Sequence, residues 1–286
     1  MRIQHNITAL NSHRNLSNNN SSLTKNLEKL SSGYRINRAG DDAAGLAISE
    51  KMRAQITGLQ TAQKNSEDGV SLVQTAEGAL TEVHSMLNRM VELATQSANG
   101  TYSSANRAEM QKEVKALQDE IDRISNTANF NGTTLFSGFS APKAVAIHAG
   151  ETSKDENQIK ITLSAMSSSG MSATIGTTST TINLNTMVKV DTAADAKKSI
   201  DKINTAIDIV SSMRSDFGAL QNRLEHTINN LGVQTENLSA AESRIRDVDM
   251  AKEMMAYTKN NILVQASQAM LAQANQVPQG VLQLLQ

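Results

Sequence analysis

The stretch from Arg35 to Glu50 reads RINRAGDDAAGLAISE. Paired acids in a turn can ligate a metal or do general acid–base work, and glycines beside basic residues can cradle a phosphate. The spacing here fits none of these well. Asp41 and Asp42 are adjacent and have no third ligand close in sequence, and GDDAAGL has neither the glycine spacing nor the lysine of a phosphate loop. A second cluster, ESRIRDVDMAKE from Glu242 to Glu253, carries Arg244, Arg246, Asp247 and Asp249. On a helix, Asp247 and Asp249 would diverge by about 200° and could not share one ion. The histidines His5, His13, His84, His148 and His226 are scattered, and of these His5 and His13 could share a face. No HExxH occurs, no serine sits in a GxSxG context, and Glu225 and His226 are helix neighbours that point apart. The chain reads as no enzyme, with no metal and no cofactor.

The two charged clusters lie at similar distances from opposite ends of the chain. If the chain folds back on itself, they meet. The expectation is that Arg35 and Arg38 face Asp247 and Asp249, and that Asp41 and Asp42 face Arg244 and Arg246. Such half-exposed pairs contribute about 0–1 kcal/mol each. Their use is register rather than bulk stability, so the cluster reads as a structural hinge.

The elements that must position this hinge are helical. Ile3, Ile7 and Leu10, then Leu16, Leu23, Leu27 and Leu30, recur at three- and four-residue steps with one phase shift, up to a break at Gly33. From Ile48 onward the period returns through Ile56, Leu59, Val70, Val73, Leu80, Leu87, Val91 and Ala94. SANGTYSSAN ends that helix and leads into a return helix through Met110, Val114, Leu117, Ile121 and Ile124. Ile200 to Ile245 keeps the same period in a helix roughly 70 Å long. Between Ser137 and Val190 the pattern alternates and is rich in Ser, Thr and Gly. It predicts two or three hairpin-like strands, a solvated insertion whose alternative role is to accept O-glycans.

Composition agrees with thin helices. Aromatics make up 2% of the 286 residues, tryptophan is absent, and there are two prolines, so large side chains are too sparse for a thick core. The net charge of −1 gives no electrostatic case for nucleic acid or an anionic membrane. No stretch has the apolar length of a membrane span. There is no cysteine, and the N-terminus lacks the apolar middle of a secretory signal. The expected location is the cytosol, or outside the cell by a route that cleaves no signal.

The segment from Asn260 to Gln286 is uncharged, yet helical by period through Ile262, Leu263, Ala266, Met270, Leu271 and Ala274. An exposed helix of a soluble monomer normally carries charge on its outer face. This one reads as packed on all sides by neighbours.

LSSGYRINRAGDDAAGLAISEKMRAQI, NSEDGVSLVQTAEGALTEV, NRLEHTINNL, NLSAAESRIRDVDMAKEM and QASQAMLAQANQ together resemble bacterial flagellin, the filament subunit of the flagellum. The resemblance spans Met1–Gly138 and Ala193–Gln286. It implies a mainly α fold, a long antiparallel coiled-coil rod of the N- and C-terminal segments with a small β-hairpin insertion. It implies residues 1–45 plus 246–286 as an inner-tube domain, 46–137 plus 191–245 as an outer-tube rod, and 138–190 as a variable insertion. Arg35, Arg38, Gly40, Asp41, Asp42, Gly45, Arg244, Arg246, Asp247 and Asp249 would form the spoke between the two tubes, the glycines allowing a sharp turn. Ile262, Leu263, Met270, Leu271, Leu282 and Leu285 would pack the inner tube. The implied partners are further copies of the chain, an export chaperone, an assembly factor, and the cap and hook–filament junction proteins. The implied location is the extracellular filament, reached by type III export, with terminal segments that order on polymerisation. LNRMVELATQ also resembles the family's motif for Toll-like receptor five, which would place Arg89, Glu92, Leu93 and Glu113 against that receptor. Val91 and Gln286 stand where basic residues are common in the family.

Overall fold

The computed structural model describes residues 6–137, 143–168, 170–175, 178–184 and 188–284, without the side chains of 170, 172–182 and 277–284. Five long helices dominate: α1 (Ile7–Ser32), α2 (Ala43–Ala98), α3 (Ser104–Thr127), α4 (Ala193–Arg246) and α5 (Met250–Leu284). Each starts on a residue that satisfies the free N–H groups of a first turn. Asn6 accepts from the Ala9 amide at 3.1 Å, and Ser103 from that of Asn106 at 3.3 Å. Asp42 accepts from Gly45 N–H at 2.9 Å and Asp249 from Ala251 N–H at 3.0 Å. Thr192 accepts from the Asp195 amide and donates to its carboxylate, a local box that starts α4. At the other end of α1, Gly33 takes φ 74° and donates its N–H to Lys29 O. A left-handed residue there closes the helix at no Cβ cost.

The chain divides into two compact units, one of residues 1–56 and 236–286, the other of Thr57–Thr235. In the second unit the buried positions of α2 include Leu59, Ala62, Ser66, Gly69, Val73, Ala76, Leu80, Val83, Leu87, Met90, Ala94 and Ser97, with Leu72 and Leu93 buried beside them. The steps alternate three and four, a heptad seam. Buried residues of α4 answer with the same rhythm through Ser199, Ile203, Ala206, Val210, Met213, Phe217, Leu224 and Leu231. Glu77 pairs with Arg214, and a Cβ on Gly69 would sit 3.4 Å from Leu224 Cδ1, so the two helices run antiparallel. From α3, Val114, Ile121, Gln118 and Ser125 turn inward. The two polar ones reach backbone oxygens, Gln118 that of Leu184 at 2.9 Å and Ser125 that of Phe136 at 3.2 Å. A buried amide or hydroxyl needs such a partner.

The β structure is a set of small antiparallel pieces. β1 (Asn129–Phe130) and β2 (Thr133–Thr134) pair across Asn131 and Gly132, both at positive φ, the backbone that a tight two-residue hairpin requires. β3 (Lys143–His148) pairs with β4 (Gln158–Leu163) in a register from Lys143↔Leu163 to His148↔Gln158. Ile159, Ile161 and Leu163 of β4 point into the core and alternate with exposed residues. β5 (Met166–Ser167), β6 (Gly170–Ile175) and β7 (Thr178–Ile182) form a three-stranded sheet in that order. Among its described residues the insertion thus holds five strands rather than two or three. Its Ser/Thr stretch is not all surface, since Ser168 is buried and both its N–H and its hydroxyl donate to Asp122 at 2.6 Å.

In the first unit, α1 and α5 pack antiparallel. Asn6 donates to Ala274 O at 2.8 Å, and Asn19 donates to Ser267 Oγ at 3.0 Å. The half-buried residues of α1 include Ala9, Ser12, Leu16, Asn19, Leu23, Asn26 and Leu30, with Glu28 and Lys29 beside the last of them. Those of α5 include Glu253, Tyr257, Asn260, Val264, Ser267, Leu271 and Ala274. Both lists step by three and four, so this is a two-helix coiled-coil seam, and α1 has no fully buried residue. The phase shift in the α1 sequence has a cause: Leu16, Leu23 and Leu30 form the seam, whereas Ile7, Leu10 and Leu27 form a second stripe that faces out.

Candidate functional site

The hinge is held by backbone and ring contacts more than by ion pairs. Tyr34 and Asp247 form an isolated antiparallel bridge. Arg35 N–H donates to Arg246 O at 2.6 Å and Val248 N–H to Gly33 O at 3.0 Å. The segment 33–36 is therefore stitched to 246–248 as a short ribbon. Asp247 to Asp249 lie on this break between α4 and α5, not on a helix. Ile36, the lone large apolar residue among polar ones, is buried and anchors the segment.

The expected cross pairs do not form. The Arg35 guanidinium donates to Ile245 O at 2.6 Å instead of to an aspartate. Arg38 pairs with Glu28 at 2.8 Å. Arg246 pairs with Glu50 at 2.7 Å, and its guanidinium carbon lies 4.7 Å from the centre of the Tyr34 ring. Arg244 points to solvent. The aspartates are engaged locally. Asp41 Oδ2 accepts the amides of Asn37 and Arg38 at 3.2 and 3.1 Å, while Asp42 and Asp249 start α2 and α5. The reason is proximity: an acid beside free N–H groups of its own turn finds partners before any distant arginine arrives.

Arg38 N–H, then Asn37 N–H, hold the Asp41 carboxyl below its ordinary value of 3.8. A lowered folded value contributes stability above about pH 4 that is lost as pH falls through the lowered value. Asp41→Ala should therefore lower the melting temperature of the first unit at pH 6, and that gap should be smaller at pH 3. A gap of equal size at both values would remove Asp41 from the hinge's acid response.

The two glycines differ. A Cβ on Gly45 would fall 2.5 Å from Asp42 Oδ2 and 2.8 Å from Ile36 Cδ1, so any larger residue there must push these two side-chain ends aside. Gly40 has open space around its Cα and no positive φ, so neither packing nor backbone demands glycine. Gly45→Val should displace both the Asp42 cap and the Ile36 anchor. An N-cap alone is worth ~0.5–2 kcal/mol, so the loss should reach that size at least, read as a lowered melting temperature of the first unit.

The outward surface of the first unit carries large apolar residues among its polar ones. Ile262 is 59% exposed and Met270 63%, and Ile7, Leu10, Leu27, Ile48, Met250, Met254, Met255 and Leu263 are exposed too. Leu271, by contrast, faces the α1 seam. The side chain of Leu282 lies outside the described set, and Leu285 lies outside the described residues altogether.

In the second unit, Arg89 donates to Glu113 at 2.9 Å and to Glu92 at 2.9 Å, joining α2 to α3 on an exposed face. Glu92 and then Glu113 hold its guanidinium more firmly protonated than usual. Leu93 is 2% exposed and belongs to the core, so it presents no surface to a partner. An open groove of about 870 Å³ lies between the β3–β4 loop and α4, beside Glu151, Arg223, His226 and Asn230. Among the described residues no three His, Asp or Glu gather to hold a metal ion, and no helix is long and apolar enough to cross a membrane.

Helical terminal segments, a stitched hinge and large apolar side chains left exposed on the outer face fit a protein that joins copies of itself. The model of the bacterial flagellin N-terminal helical region matches residues 3–141, and that of the C-terminal helical region matches residues 200–285. Flagellin of Bacillus subtilis is 52% identical over 303 residues, and flagellin of Halalkalibacterium halodurans 53% over 285, each match covering both chains in full. The flagellar filament 33 kDa core protein of Treponema phagedenis is 47% identical over 293 residues, again over both full lengths. A crystal structure of Bacillus cereus flagellin aligns with 63% of this chain and 94% of its own at 31% identity and a TM-score of 0.47. The chain belongs to the bacterial flagellin family. It is a structural subunit of the extracellular flagellar filament, self-assembling and not an enzyme.

Proposed function

We propose that this subunit leaves the cell through the flagellar type III export channel and joins the filament at its distal tip under the cap. Residues 1–45 and 246–286 line the inner tube, 46–137 and 191–245 form the outer tube, and 138–190 face outward. An export chaperone and an assembly factor hold the C-terminal segment beforehand, and the hook–filament junction proteins receive the first subunits. The observation that carries this reading is the seam between α1 and α5. It is filled largely by Asn, Ser, Ala and a few leucines, while Ile262, Leu263 and Met270 face away from it. A helix pair that shows its large apolar residues to solvent is stable only when neighbours cover them. The test is seeded growth. Heat-dissociated protein is added to short filament seeds, and light scattering and electron microscopy follow the product. Long tubes support the reading; subunits that stay monomeric beside competent seeds overturn it.

A second role is recognition of the free subunit by host Toll-like receptor five. The exposed Arg89–Glu92–Glu113 cluster supports it, because an arginine fixed by two carboxylates presents one geometry to a partner. Leu93 takes no direct part in it. Arg89→Ala should weaken receptor signalling by monomer roughly tenfold, a size common for interface arginines. An unchanged dose–response curve removes Arg89 from the contact.

A further inference from the structure

The chain has 13 methionines, no cysteine and no tryptophan. Thioethers are therefore its groups most open to oxygen transfer. Their placement is uneven. Met90, Met166, Met171 and Met213 are buried in the second unit, and Met52, Met86 and Met110 are half-buried. The exposed methionines among the described residues all lie on α5: Met250 at 48%, Met254 at 49%, Met255 at 68% and Met270 at 63%. None of the four occupies the seam against α1.

We infer that these α5 methionines make the free subunit sensitive to peroxide: their oxidation to sulfoxide blocks addition to the filament, and subunits already assembled are protected. The inference rests on the reading that assembly covers the outer face of α5. The chemistry balances without a further reagent. A lone pair on sulfur attacks one oxygen of hydrogen peroxide, the O–O bond breaks, and the proton on the transferred oxygen passes to the departing hydroxide, which leaves as water. Sulfur is oxidised and peroxide reduced. The product carries a strongly polar S=O in place of a flexible apolar atom. Buried against an apolar neighbour, that oxygen has no donor and opposes the packing. Solvent exposure sets the rate, so the buried methionines of the second unit stay reduced at the same dose and the rod keeps its fold.

The test treats free subunits and finished filaments with the same dose of hydrogen peroxide. Peptide mass spectrometry locates the sulfoxides, and seeded growth then measures elongation by treated and untreated subunits. Elongation by treated wild type should fall roughly tenfold, the factor of about 1.4 kcal/mol, in step with sulfoxide at Met250, Met254, Met255 and Met270. Methionine sulfoxide reductase should restore it. Met250→Leu/Met254→Leu/Met255→Leu/Met270→Leu should keep a treated-to-untreated ratio near one, whatever its untreated rate. Sulfoxide at all four positions with undiminished elongation overturns the inference, as does loss that the reductase cannot reverse. Equal sulfoxide formation in filaments and free subunits overturns the protection by assembly. Failure of untreated wild type to elongate is a separate result that counts against the assembly reading itself.

Discussion

A chain that stops at Lys259 should elongate no filament seeds, while its unit Thr57–Thr235 melts where that of the full chain does. The truncation removes Val264, Ser267, Leu271 and Ala274, against which the first half of α1 packs, and with them the outward Ile262, Leu263 and Met270. It touches nothing in the core seam of α2 and α4. A sharper variant separates the two losses. Ile262→Ser with Leu263→Ser leaves the α1 seam intact and alters the outer face alone. Covering an Ile or Leu side chain is worth about 1.5–3 kcal/mol when complete. Losing two should raise the critical concentration for growth by roughly two decades or more. Circular dichroism should show the helix content nearly unchanged. Growth of the double variant at the wild-type critical concentration would show that this face is not covered in the filament.

The helices and their buried seams were legible because repetition carries the signal. Val73, Leu80 and Leu87 recur at sevens, and the structure buries all three. A seam written once would be ambiguous; written over many turns it is not. α1 is harder because it carries two apolar stripes, one against α5 and one left exposed among the described residues. Periodicity alone cannot say which stripe is which. Leu93 hides its burial for a related reason. It lies beside the heptad seam rather than on it, yet α2 is covered on more than one face, and motif resemblance says nothing of burial. The hinge partners failed differently. Opposite charges at matching distances from the two ends suggested pairs, but Asp42 and Asp249 each stand directly before a helix, where capping is the stronger claim. The partners actually used, Glu28 and Glu50, sit on regular helices with nothing in their local sequence to mark them. Two signals were there to read: Ile36 alone in a polar turn, and Asn131–Gly132 between short β-forming pairs.

Phe217→Ala should be the most destabilising single change in the second unit. Among the described residues, Phe217 and Phe136 are the bulkiest of its fully buried side chains, in a chain with four phenylalanines and no tryptophan. Phe217 sits on the α4 seam, flanked along it by Met213 and Leu224. A seam between long helices cannot close over a missing ring, because each helix is held by contacts for many turns on either side. The cavity term should therefore be retained almost in full, giving a loss of about 3–5 kcal/mol. For a unit of this size that lowers the melting temperature by roughly 6–20 °C. Phe217→Leu should lose less, since most of the volume remains. The two predictions divide the molecule by function. At temperatures where the variant unit is still folded, Phe217→Ala should elongate seeds with the outer face of α5 unchanged, whereas the α5 variants keep the melting temperature and lose elongation. If Phe217→Ala cost less than about 1 kcal/mol, the size of a surface change, the helices would be free to slide or tilt, and the seam could not be the rigid element that sets the register of the rod.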